Sequence, residues 1–144
     1  AMNTNSYLDF AENDYSFFME CIDAGMVYNA LPAIAQDAAE KYLKDIIDRF
    51  FEPHDEKEYF VKKDILKTHS LKKLFRFIEK EFAIEISDEE KDYIEAEDIY
   101  YINTIYPGDD SFEVDVRDMR KASAALKAVR SLHLSLEKTL AEQI

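Results

Sequence analysis

Apolar residues along this chain recur at steps of three and four, and no stretch alternates strictly between apolar and polar. That periodicity predicts helices and no sheet. A first helix is expected over residues 7–24, with Leu8, Ala11, Tyr15, Phe18 and Ile22 inward and Phe10, Phe17 and Cys21 widening that face. Ser6 stands before it as an N-cap and Gly25 after it as a stop. A second helix is expected over 29–51. Its apolar positions, from Leu31 through Ala38 and Tyr42 to Phe50, form a sector broad enough for two neighbours. Asp37–Lys41, Glu40–Lys44 and Asp45–Arg49 are spaced four apart and read as ion pairs of its exposed face.

Pro53 opens a charged connection over 52–62, followed by a short helical turn at 64–67. A third helix over 70–82 carries the stripe Leu71, Leu74, Phe75, Ile78 and Phe82. Ser87 and Glu90 have capping-box spacing and begin a fourth helix. It runs through Tyr93, Tyr101 and Ile105 and stops at Pro107-Gly108. The last helix starts after Asp115 and continues to the C-terminus along Ala122, Leu126, Val129, His133, Leu136 and Leu140. The expected fold is all-α, an up-and-down bundle of four to five helices with a long C-terminal helix. One domain over residues 2–144 is expected, with Ala1 ahead of Met2 set aside. The second helix has more apolar circumference than a small monomer covers, so a homodimer is expected.

Composition narrows the function classes. Two glycines among 144 residues leave no Gly-rich loop for phosphates. A single cysteine, Cys21, permits neither an internal disulfide nor a cysteine-built zinc site, and it reads as a small buried hydrophobe. No His-Glu-x-x-His or Glu-x-x-His pattern occurs, so no metal and no cofactor are expected. There is neither an apolar run long enough to span a membrane nor a leader-like start, and a cytoplasmic setting is expected.

The net charge of −13 opposes general binding to nucleic acid. The charges are unevenly placed, however. Lys62, Lys63, Lys67, Lys72, Lys73, Arg76 and Lys80 face only Asp64 and Glu79 within 62–80, and an acidic run over 81–98 follows. Two solvated faces that attract each other explain this; so does a local anion site. Of three histidines, His54 lies in the polar loop and reads as solvated. His69 stands at the start of the third helix, where an imidazole can cap backbone groups or meet an anion. His133 lies on the last apolar stripe, three residues after Arg130, and reads as a hydrogen-bonded core histidine.

The chain resembles the HEPN family of small helical domains, found beside nucleotidyltransferases and in prokaryotic toxin–antitoxin and defence systems. The likeness rests on Gln36, Ala38, Glu40, Lys41, Leu43 and Lys44, on His69-Ser70-Leu71, on Tyr106-Pro107, and on the Ala-rich last helix over 115–143. Ile105 stands where relatives often have arginine. Arg130 and His133 have two residues between them, where HEPN ribonucleases place the histidine four to six residues after the arginine. The resemblance implies a HEPN-like bundle acting as a non-catalytic module for a nucleotide or a nucleotidyltransferase partner. Lys41, His69, Ser70 and Lys72 would hold phosphate, and Tyr101 or Tyr106 would stack on a base. The alternative it implies is a metal-independent ribonuclease with Arg130 and His133 joined across a dimer.

Overall fold

A computed structural model describes residues 6–91 and 113–143. Each helix there starts and stops where a side chain or a special backbone angle supplies the missing hydrogen bonds. Helix α1 (Tyr7–Asp23) begins on Ser6, whose Oγ accepts from the Leu8 and Asp9 amides. It ends in a Schellman turn: Met26 N–H donates to Cys21 O and Gly25 N–H to Ile22 O, with Gly25 at φ 72°. Helix α2 (Ala30–Phe50) carries Pro32 in its first turn, where an amide has no helical acceptor to lose. At its far end the Lys62 ammonium donates to the carbonyls of Asp48 (2.9 Å) and Phe51 (2.8 Å), closing the terminus from outside.

Lys62 belongs to α3 (Glu56–Ile65), which corrects the expected charged connection over 52–62. Residues 52–55 remain a connection and 56–65 are helical, the turn expected at 64–67 including the last residues of that helix. Asp55 caps it through the Glu58 amide at 2.8 Å. No apolar stripe announced it because Tyr59, Phe60 and Val61 are consecutive, and none of its residues is buried. The informative signal was Asp55 three residues before Glu58, an N-terminal pattern. Helix α4 (Leu71–Phe82) starts on Ser70, whose Oγ accepts from the Lys73 amide at 3.2 Å, and ends on Ala83 at φ 51°. The fourth helix of the sequence reading begins as expected, with Ser87 Oγ on the Glu90 amide. The rest of it, including Tyr101, Tyr106 and Pro107-Gly108, lies outside the described residues. Helix α5 (Val116–Glu142) starts on a reciprocal Asp115–Asp118 capping box and runs 27 residues with its expected stripe buried throughout.

The architecture is an all-α bundle with a long C-terminal helix, and no strand occurs among the described residues. No described helix is long and apolar enough to cross a membrane. Helix α2 is the centre: α1, α5 and α4 all pack on it, while α3 rests chiefly on α4. Tyr42, Leu43, Ile46 and Ile47 are fully enclosed, each large apolar side chain contributing about 1.5–3 kcal/mol by leaving water. The apolar surplus that the sequence reading gave to a second copy is therefore covered within the chain. Phe10 and Phe17 go the other way. Expected to widen the inner face of α1, they are 42% and 51% exposed, because positions seven apart share a side of the helix turned away from Ala11 and Phe18. Cys21 is buried and free, as its apolar neighbours implied.

Core and periphery should separate in experiment. Ile46→Ala is expected to lower global stability by about 2–5 kcal/mol, read as a fall in the urea midpoint with unchanged slope. Asp55→Ala should instead accelerate amide exchange within α3 and leave the global midpoint nearly unmoved.

Candidate functional site

A helix covered on most sides must still satisfy its polar residues, and α2 carries several. Gln36, Glu40, Lys44 and Asp45 are each at most 7% exposed. They divide into two clusters, one meeting the start of α4 and the other meeting α5 and α1.

The first cluster joins two of the stretches on which the resemblance rests. Gln36 Nε2 donates to the His69 carbonyl at 3.1 Å and to Glu40 Oε1 at 3.3 Å. The other Glu40 oxygen lies 3.4 Å from His69 Nδ1. Glu40 is thus nearly enclosed while the imidazole is about two-thirds exposed. Burial pushes the Glu40 carboxyl above its usual range, against the pull of Lys44, Gln36 and His69. Burial likewise lowers the Lys44 ammonium, with Glu40 and Asp37 opposing. Beside the ring, Thr68 Oγ1 accepts from the Ser70 amide and Ser70 caps α4, with Lys72 exposed in the first turn.

Lys41 is placed differently. Its ammonium is paired with Asp14 on α1 and lies 5.8 Å from the Phe10 ring centroid. The link between Lys41 and His69 is Asp37, whose carboxyl is raised by burial and feels Lys41, Asp14, His69 and Lys44 together. The structure thus brings His69, Ser70 and Lys72 to one helix start and leaves Lys41 engaged by α1.

The second cluster absorbs Arg130 and His133. His133 is 1% exposed, and its Nε2 sits 2.7 Å from Asp45 Oδ2. Asp45 also accepts from Arg49 Nε at 3.0 Å and Nη2 at 2.7 Å, and Arg49 reaches on to Glu137. Burial works to raise the Asp45 carboxyl, but the hydrogen bonds from His133 and Arg49 outweigh it and hold the group below its ordinary range. Arg130 grips Glu12 with two hydrogen bonds of 3.0 and 3.1 Å and lies over the Tyr15 ring at 4.7 Å. Tyr42 stands between the clusters' members, donating to Glu12 at 3.0 Å and tilting against the His133 ring at 5.5 Å. Burial and Glu12 push its phenol well up. Arg130 and His133 share a face as their spacing requires, yet their working ends serve different carboxylates. Asp45, His133 and Glu137 also offer three possible ligand atoms within 4.8 Å of one another, but the Arg49 guanidinium spans the two carboxylates as their cation.

Sequence reasoning missed Asp45, Glu12 and Glu40 as site partners. Asp45–Arg49 and Glu40–Lys44 read as surface pairs, whereas a charge on a helix with so little polar circumference is turned inward. His54 is exposed and rests on Glu58.

Opposite pKa directions give opposite pH dependence. Asp45 is depressed in the fold, so it stabilises above the carboxylate range and the benefit is lost as pH falls through its folded value. Glu40 is raised, so stability falls as pH rises through the carboxylate range toward its folded value. Asp45→Asn should cost about 3–5 kcal/mol at neutral pH. Glu40→Gln should shift the urea midpoint upward at neutral pH, with the gain shrinking on acidification. Equal destabilisation by both would overturn the assignment.

Residues 57–139 match the HEPN domain family. That span holds His69-Ser70-Leu71 and the Arg130–His133 helix, and it begins after the Gln36–Lys44 stretch of α2. No curated protein and no solved structure matches the chain. With more than half of its length inside the match, the chain belongs to the HEPN domain family, a family of nucleotide-binding and ribonuclease-type modules.

Proposed function

We propose that this protein is a non-catalytic HEPN module that binds a nucleotide through its phosphate at the start of α4. The observation that supports this is the contrast between its two well-placed histidines. His133, on which ribonuclease chemistry would depend, is enclosed and held by Asp45. General acid–base catalysis needs an imidazole within hydrogen-bond reach of the reacting proton. His69 is exposed and oriented from behind by a buried carboxylate. It stands before a 12-residue helix whose N-terminus favours anions, in the most basic stretch of the chain.

In this reading Glu40 and Gln36 position rather than bind. They take up Nδ1 and the backbone carbonyl, so that the exposed ring is held at the start of α4, where a phosphate oxygen would meet it. Lys72 adds a second cation from the first turn of α4. Lys41 contributes less, since leaving Asp14 would uncover that carboxylate. Tyr101 and Tyr106 are proposed for the base on residue type alone.

In a titration with nucleoside mono-, di- and triphosphates, His69→Ala should weaken binding roughly tenfold, the worth of one charge-assisted hydrogen bond. Lys41→Ala should change affinity less than about twofold, as expected of a half-buried charge already paired with Asp14. Full affinity in His69→Ala would sink this site.

A further inference from the structure

With the phosphate at the start of α4 as proposed, on which this rests, we infer that the attached base is guanine and lies in the groove between α3 and α4. The groove has a volume of about 600 Å³, and Val61, Ile65 and Phe77 are its apolar lining. That size, with an apolar lining and a few polar groups, suits a small molecule. One end of the groove reaches the start of α4. Thr68, whose Oγ1 accepts from the Ser70 amide, and Lys73, whose amide donates to Ser70 Oγ, both line it. Phe77 stands six residues beyond Leu71, about 9 Å along the helix. One nucleotide covers that span between its phosphate and its base. A phosphate at His69 and Ser70 therefore brings the ribose past Thr68 and Lys73 and the base against Phe77, in place of Tyr101 or Tyr106. The Phe77 ring is half-buried and steadied by an edge contact with Phe51 at 5.2 Å.

An aromatic ring accepts any base, so the choice among bases falls to the polar lining. Asp64 and Lys67 supply it. The Lys67 amide donates to the Asp64 carbonyl at 3.1 Å, a turn that continues past the end of α3, and both side chains line the groove. Both are exposed, and neither forms an ion pair with another described residue. The groove thus sets a carboxylate, which only accepts, beside an ammonium, which only donates. Guanine carries the complement on one edge: N1–H and N2–H side by side as donors, then O6 as acceptor. Its two N–H groups meet the two oxygens of Asp64, and O6 meets Lys67. Adenine reverses both contacts, turning the N1 lone pair on Asp64 and its amino group on Lys67. Cytosine and uracil each set an acceptor against the carboxylate and cover less of Phe77. An aliphatic or aryl acid would satisfy Lys67 but press its body on Asp64.

The test is calorimetric titration of the full chain with the monophosphates of guanosine, inosine, xanthosine and adenosine. The inosine compound lacks the 2-amino group and should bind about tenfold more weakly than the guanosine compound, the worth of one charge-assisted hydrogen bond. The adenosine compound should bind more weakly still, because it leaves the groove's polar groups unanswered. Asp64→Asn replaces one acceptor by a donor. It should weaken guanosine monophosphate about tenfold and bring xanthosine monophosphate, which carries O2 beside N1–H, above it. Asp64 is exposed, so the urea midpoint of this variant should match wild type. His69→Ala should weaken all four alike. Equal binding of the four, weakened throughout by His69→Ala, would overturn the guanine assignment and leave the phosphate site standing. Binding by none of them would overturn both. An unchanged order in Asp64→Asn, or an equal loss of all four there, would also overturn the assignment.

Discussion

The bundle depends on a constraint set by its central helix: whatever is polar on α2 must be answered by a neighbour. An enclosed charge left alone costs several kcal/mol, far more than a missing apolar contact. Asp45 is answered by His133 on α5 and by Arg49 one turn along its own helix. Glu40 is answered by His69 and Gln36. Tyr42 is answered by Glu12 on α1, which Arg130 of α5 also holds. Apolar side chains would tolerate a slip of α5 along α2 by a fraction of a turn. The His133–Asp45 contact does not, so these bonds set the register of the helices against each other.

That constraint also explains why two histidines of one chain do different work. His133 lies inside the seam, where a carboxylate and a tyrosine ring leave no room for a reacting group. His69 lies where the seam reaches the surface. Its backbone and Nδ1 are tied to α2 while about two-thirds of the side chain stays exposed. Fixed behind and open in front is the arrangement that binding requires, because ordering of the side chain has been met before a ligand arrives.

Much of the fold was legible because helices were capped by residues with a short-range mechanism. Ser6, Ser70, Ser87 and Asp115 each stand where the structure has an N-terminal cap. The stripe of α5 is buried to the last position. Helix α3 escaped because it buries nothing, and periodicity reports burial. The site was legible only by type. His69 and Ser70 were named, but Glu40 and Asp45 were read as solvated partners of Lys44 and Arg49. Their spacing of four fits a surface pair and an inward-facing one equally well. What separates the two is how many helices surround α2, and that is a property of the assembled bundle.

Gln36 holds the His69 backbone carbonyl, not its ring, from a position 33 residues earlier in the chain. The place of the loop is therefore independent of the side chain it presents. Position 69 behaves as a socket: lysine or arginine there would find the same backbone track and the same carboxylate behind it. A single substitution could change what the surface recognises while the packing beneath stays as it is. Diversification of specificity on this scaffold would then proceed by exchange at one exposed residue, with selection for the place of the loop acting on Gln36 instead.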